Sequence, residues 1–386
     1  MLDYAQTLDP AAGVAREVRV LPPDGSAHCL WTIAVDIGTS DLVGPAQDMD
    51  LTWVGASGLL RSRTLPRAAG EAVERYALHP RGDALPTGAG LPSAEGGAGW
   101  ARDAVRASTR TYRATAAGGR AVAVPSAAVD YPPAVGVPTL GFDPSPSGTA
   151  SGPGRAAAQR SAARELVERD VALRAWWQPA FAARLAPPLD DDRDGSLRAL
   201  LRAAQDLELV LVALAVPDRP VAVLCLAIDD AAQVVGAGVS LEPDLHLMCV
   251  KAVQEALQIR ALLVDLAASG SWVRPVPPVR HEEERARFWA RPGACADARR
   301  WLEQVAPEGA VHVTGNAGWV PTLSDDAFVV DLTPRLPGPV REMGWAVVKA
   351  FDPRLQPLRM SDAVGWNVGA QARRDGGDVS LPHPLI

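Results

Sequence analysis

Three segments of the chain repeat one acidic pattern: Glu71-Ala-Val-Glu74-Arg75, Glu165-Leu-Val-Glu168-Arg169 and Glu255-Ala-Leu-Gln258-Ile-Arg260. They begin 94 and then 90 residues apart. Each lies in a stretch with helical apolar spacing, so positions i and i+3 fall on one helix face. Alone, any one of them is an ordinary solvent-facing Glu–Arg pair. Three near-copies brought together would instead focus several carboxylates and an amide on one point. Such a density of oxygen donors suits a hard cation, and Mg2+ commonly arrives with a nucleotide's phosphates. The chemistry this pattern points to is an Mg-nucleotide site.

Helices have to position those side chains. The spacing predicts one over Leu65 to Leu78, a long one over Arg155 to Trp177 and another over Asp244 to Ser269, one for each acidic segment. Shorter helices are expected at Leu197 to Ala204, Arg280 to Ala290 and Ala294 to Val305. Strands are expected at Val18 to Leu21, His28 to Ile37, Arg120 to Val129 and Gln233 to Leu241. The tail adds Val311 to Thr314, Ala327 to Leu332 and Trp345 to Phe351. The apolar stretch from Leu207 to Ile228 is broken by Pro217-Asp-Arg-Pro220 and reads as strand, turn, strand, not as a membrane span. His79 to Gly99 and Tyr131 to Gly154 are Gly/Pro-rich and read as loops. Strands and long helices alternate, so the fold class is α/β or α+β, with sheets covered by long helices in a single large domain. The near-regular spacing of the acidic helices hints at internal pseudo-symmetry.

The totals exclude several partners. Net charge is −7 and no basic cluster stands out, which argues against nucleic acid or an anionic membrane. Cys29, Cys225, Cys249 and Cys295 are far apart and form no C-x-x-C pair, so neither a zinc ribbon nor a disulfide framework is expected. Without a signal peptide at the N-terminus, a reducing cytoplasm fits best. Val35-Asp-Ile-Gly-Thr-Ser40 imitates the first phosphate motif of actin-like sugar kinases, but no second Asp-x-Gly phosphate turn follows, and a strand end with a polar turn is the better reading.

Longer motifs add a family. Ser147-Gly-Thr-Ala-Ser-Gly152 leading to Glu165-Leu-Val-Glu-Arg-Asp170 resembles the signature of the YcaO family. So do Gly236-Ala-Gly238 leading to Lys251-Ala-Val-Gln-Glu-Ala-Leu-Gln258, and Arg285-Ala-Arg-Phe-Trp-Ala290. Asp331-Leu-Thr-Pro334 with Val347-Val-Lys-Ala-Phe-Asp-Pro353 is similar to the family's closing strand and turn, and Leu381-Pro-His-Pro384 to the proline-rich tail of its peptide-modifying members. The matches run in family order from about residue 50, which leaves residues 1–49 as lead-in strands and 50–386 as the YcaO-like ATP-binding domain.

The resemblance implies an ATP- and Mg2+-dependent enzyme that activates backbone amides of ribosomal precursor peptides, forming azolines from Cys, Ser or Thr. It places Glu71, Glu74, Glu165, Glu168, Glu255 and Gln258 around Mg-ATP, Arg169 at the phosphates with Arg75 beside it, and Pro382 and Pro384 near the active centre. A separate leader-binding, ThiF-like partner is implied, an FMN-dependent azoline dehydrogenase can follow, and homodimers are common among such proteins. The same site would serve thioamide or amidine formation, and a non-catalytic docking subunit is the reading from another class. Three departures stand out. Ala157 replaces a usual glutamate, Ser147 a usual asparagine, and the tail ends Leu385-Ile386 instead of in proline.

Overall fold

The structure, a computed structural model, describes residues 2–25, 28–38, 52–82, 84–94, 96–97, 100–101, 110–137, 139, 141–192, 194–269, 278–310, 313, 315–374 and 381–386. Its strands form three sheets. The first is antiparallel, in the order β1 (Glu17–Leu21), β2 (Trp31–Asp36), β3 (Trp53–Gly58). The second has five strands: β4 (Thr111–Ala116), β5 (Ala121–Pro125), β6 (Thr149–Pro153), β11 (Phe328–Asp331) and β12 (Trp345–Phe351). The third has four: β7 (Ala182–Arg184), β8 (Glu208–Leu214), β9 (Ala222–Asp229) and β10 (Val234–Ser240). Both β9 and β10 are buried along their whole length, which is why they read as unbroken apolar runs.

Three long helices cover these sheets: α1 (Arg61–Leu78), α2 (Arg155–Trp177) and α3 (Leu245–Ala268), followed by the shorter α4 (Glu282–Trp289) and α5 (Ala294–Leu302). Each long helix lies on one sheet and reaches the next. α1 packs on β2 and β3 and touches β6 and β12; α2 packs on β6 and β12 and touches β8, β9 and β10; α3 packs on β9 and β10 and touches β3. The three helix–sheet units therefore close on one another, each contributing one acidic segment. Asp244 caps α3 by accepting from the Leu247 amide, as the sequence expects of an Asp at a helix start. Gly236 and Gly238 let that helix lie directly on β10: a Cβ at either position would come within 2.3 Å of a backbone oxygen of α3.

Several expectations are revised. The turn Ser147–Gly152 is mostly strand: only Gly148 is left-handed, and Thr149–Pro153 pairs with β12. Its small residues carry little strand propensity of their own, and pairing with the apolar β12 decides the matter. α1 starts a turn earlier than Leu65, with Pro66 inside it. The stretch after β5 turns into a short helix, Ser126–Val129. The expected strand over Val311 to Thr314 falls on residues 311, 312 and 314, outside the described residues. The N-terminal residues share a core with the rest: Leu2, Leu8 and Val14 cluster with α1 and with Val347 of β12. Among the described residues no helix is long and apolar enough to cross a membrane.

Candidate active site

The acidic segments of α1, α2 and α3 meet where the three units close. Arg75 Nε donates to Glu71 Oε1 at 2.8 Å, and Arg169 Nε stands 3.8 Å from Glu165 Oε1. Two of the glutamates are anchored at the C-terminal end of β10. The Val239 amide donates to Glu255 Oε2 and the Leu241 amide to Glu168 Oε2, each at 2.8 Å. The Ser151 amide of β6 serves Glu74 in the same way. Backbone thus fixes these carboxylates from one side.

Gln258 is placed differently. Its Oε1 accepts from the Ser57 amide at 2.9 Å and its Nε2 donates to Gly55 O at 3.4 Å, so it also ties α3 to β3. Arg67 reinforces that junction, donating to Ser57 O at 2.7 Å and to Gln254 at 2.9 Å.

Five carboxylates share this interior with two arginines of their own segments, and the imbalance shows in their acidity. Burial pushes Glu165 up to about 7, against the pull of Arg169 and Arg75. It pushes Glu168 up to about 8, with Arg169 opposing and Glu255 adding. Glu74 is raised well above the carboxylate range by burial, then by Glu71 and Glu165, and Glu255 is raised by burial too. For these four glutamates burial outweighs the arginines beside them and disfavours the charged form. The Arg169 Nε is itself buried without a hydrogen-bond partner. An all-oxygen donor set in negative surplus is what Mg2+ requires, and the residues fit that ion.

The site opens into a cavity of about 530 Å3 between the first sheet and α3. Glu71, Arg75, Gln258, His79, Tyr131 and Glu282 line it, and Ile386 reaches it from the chain's end. His79 is buried and stays neutral: burial and the neighbouring Arg81 and Arg75 push it down to about 3. The tail reaches this place over an aromatic platform. Trp176 Nε1 donates to Leu381 O, and Trp289 Nε1 and Arg285 Nη1 both donate to His383 O, each at 3.2 Å. Pro382 and Pro384 are buried on that platform, and it is Ile386 that lines the cavity.

The structure thus gathers Glu71, Glu74, Arg75, Glu165, Glu168, Arg169, Glu255 and Gln258 at one place. Sequence reasoning missed Tyr131, Glu282 and His79. The only local signal was Glu282 in the first turn of α4, which is an ordinary position for an acid. A second acidic group, Asp192, Asp194 and His246, lies apart from the site. Asp192 accepts from the Leu197 and Arg198 amides and pairs with His246, and Asp194 accepts from Ser196 and Arg63, so its work is to cap the helix Ser196–Ala203.

Three acidic helices around one such centre invite comparison with known proteins. A family profile described as YcaO cyclodehydratase, ATP- and Mg2+-binding, matches residues 57–356. The chain belongs to the YcaO family. Solved structures agree on the YcaO fold. YcaO from Methanopyrus kandleri, bound with AMPPCP and Mg2+, superposes with a TM-score of 0.59 at 19% identity, covering 95% of this chain and 93% of that one. A chain of the Escherichia coli microcin synthetase McbBCD complex, with pro-MccB17 bound, gives 0.65 at 15% identity and 88% coverage of both. A heterocyclase in complex with substrate and cofactor gives 0.67 at 16% identity; this chain covers 51% of its length. No curated protein matches.

Proposed function

We propose that this chain uses Mg-ATP to activate backbone amides of a ribosomally made precursor peptide, closing azoline rings on Cys, Ser or Thr. One observation carries the reading: five glutamates from three helices converge, burial raises four of them, Glu74, Glu165, Glu168 and Glu255, and the buried Nε of Arg169 beside them has no hydrogen-bond partner. When bound, Mg-ATP supplies a phosphoryl group that turns a poor leaving group, the amide oxygen, into a good one. Glu71, Glu74, Glu165, Glu168 and Glu255 hold the cations, with Gln258 at the β3 side. Arg169, and Arg75 across from it, neutralise phosphate charge. Glu168 and Glu255, held from behind by β10 amides, present a fixed oxygen each. Ile386 lines the cavity, and Pro382 and Pro384 act by ordering the segment that brings it there.

The same reading assigns leader binding to a separate ThiF-like partner, oxidation of azolines to an FMN-dependent dehydrogenase, and the cytoplasm as its setting. The McbBCD likeness supports a multi-protein assembly. The test is the intact mass of the precursor peptide after co-expression with this chain and its partner. Loss of whole water units is the expected result, and Glu168→Gln should abolish it. A mass gain from oxygen-to-sulfur exchange would replace azoline formation with thioamidation. An unchanged peptide, with Mg-ATP failing to bind, would make the chain a docking subunit, the reading that Ala157 favours.

A further inference from the structure

Arg75 occupies a carboxylate that a cation needs. Its Nε donates to Glu71 Oε1 at 2.8 Å, and Glu71 belongs to the donor set. A divalent ion that takes Glu71 through both oxygens competes with the guanidinium for Oε1, and the guanidinium has to leave. Neither side chain is locked in place, since the Arg75 and Glu71 side chains keep 25% and 34% of their surface exposed. A released Arg75 needs somewhere to go, because an unpaired charge in so enclosed a place is costly.

The same cavity offers that place. The Tyr131 hydroxyl donates to Glu282 Oε2, and both residues line the same space as Glu71 and Arg75. Burial lowers the affinity of Arg75 for its proton, and Glu71 and Glu282 more than offset this, keeping it above the ordinary arginine range. Arg75 feels Glu282 more strongly than Glu74, the residue next to it in sequence. Burial, then Glu282, raises Tyr131 well above the phenol range, so its hydroxyl stays a donor. That donor orients Glu282. The charged groups around this pair are Arg75 and Asp143, which act on Tyr131, and Arg285, which acts on Glu282, with Glu71 lining the same cavity.

We propose that Glu282 and Tyr131 form a second seat for the Arg75 guanidinium, taken when a divalent cation claims Glu71. This rests on the Mg-nucleotide reading of the site and adds two positioning residues to it. On the second seat Arg75 keeps a carboxylate partner, and its remaining N–H groups are free for an anionic ligand. Cation entry and anion recognition are then linked through one side chain.

The linkage has a signature of opposite signs. Mn2+ serves as the cation probe, followed by its paramagnetic signal with no nucleotide present, and ATP binding is measured separately by calorimetry. Arg75→Gln removes the competitor, so Mn2+ should bind roughly 3- to 10-fold more tightly while ATP with Mg2+ binds more weakly by a similar factor. Glu282→Gln removes the seat and leaves Arg75 on Glu71, so Mn2+ should bind more weakly by roughly the same factor. Tyr131→Phe, which removes one hydroxyl, should shift Mn2+ affinity in the same direction by less. In the double variant Arg75→Gln with Glu282→Gln, Mn2+ affinity should equal that of Arg75→Gln alone.

If Glu282→Gln weakens Mn2+ equally with and without Arg75→Gln, Glu282 is a direct ligand and the seat is wrong. If neither Glu282→Gln nor Tyr131→Phe moves Mn2+ affinity, the seat is wrong as well. Failure of the underlying reading looks different: the wild-type chain would not bind Mn2+, or Glu168→Gln would bind it undiminished.

Discussion

Glu168 is held by a backbone amide at one oxygen and burdened by burial at the other, and its titration should be visible in the stability of the ligand-free protein. Its carboxyl is raised to about 8, so between the ordinary carboxylate range and about pH 8 the native state binds a proton that the unfolded chain has lost. The stability from that proton is complete at low pH and is lost as pH rises through about 8. Glu168→Gln should therefore flatten the fall in urea midpoint between pH 5.5 and 8.5 and raise stability at the upper end by about 1 kcal/mol or more. An unchanged slope would mean that water or a counter-ion already satisfies this carboxylate. The convergence of the acidic segments was legible in the sequence because Glu71–Arg75 and Glu165–Arg169 are near-copies, and repetition turned a common surface motif into a rare one. Glu282 and Tyr131 had no such advantage. Each acquires meaning only from the cavity it reaches, and that is set by the packing of α4 and of the segment after the helix Ser126–Val129.

At the scale of elements, the contact between α3 and β10 sets where Glu255 and Gln258 stand. Gly236 and Gly238 lie under Ala256 and Ala252, whose carbonyl oxygens a Cβ would strike at 2.3 Å. Backbone cannot swing aside as a flexible side chain would, so Gly238→Ala must lift the helix from the strand. Overpacking of this kind costs about 1–3 kcal/mol. Chemical denaturation should register that loss, and the same variant should bind Mg-ATP more weakly, because the Val239–Glu255 hydrogen bond is stretched with it. Retained affinity in a folded Gly238→Ala protein would separate helix docking from ligand binding and count against the geometry. The long helices were legible because their apolar spacing holds over many residues. β6 was not: Thr-Ala-Ser-Gly is a turn by composition, and only its partner across the sheet makes it a strand. The start of α1 was hidden by Pro66, which reads as a first-turn residue yet sits a full turn inside.

Across the whole molecule, the three helix–sheet units touch in a closed ring, α1 onto β6, α2 onto the third sheet and α3 onto β3. No single unit owns the site. α1 brings Glu71 and Glu74, α2 brings Glu165 and Glu168, and α3 brings Glu255, so cations held by these residues would draw on all three units. Ligand-free, these carboxylates cannot all be charged at once: the charged form of Glu74 is disfavoured by burial and then by Glu71 and by Glu165 of α2, and that of Glu168 by burial and then by Glu255 of α3. Replacing that repulsion with a shared ion should tighten the ring as one body. At Mg-ATP a hundredfold above its dissociation constant the gain is about 2.7 kcal/mol, because binding stabilises only the folded state. Amide hydrogen exchange would show how the gain is distributed. Protection should rise together in the middle of α1, α2 and α3, and Glu168→Gln should abolish it in all three, although that residue sits on α2 alone. Protection confined to one helix would mean that the carboxylates are neighbours without a common ligand, and the ring would then be an architecture that packs around a site it does not share.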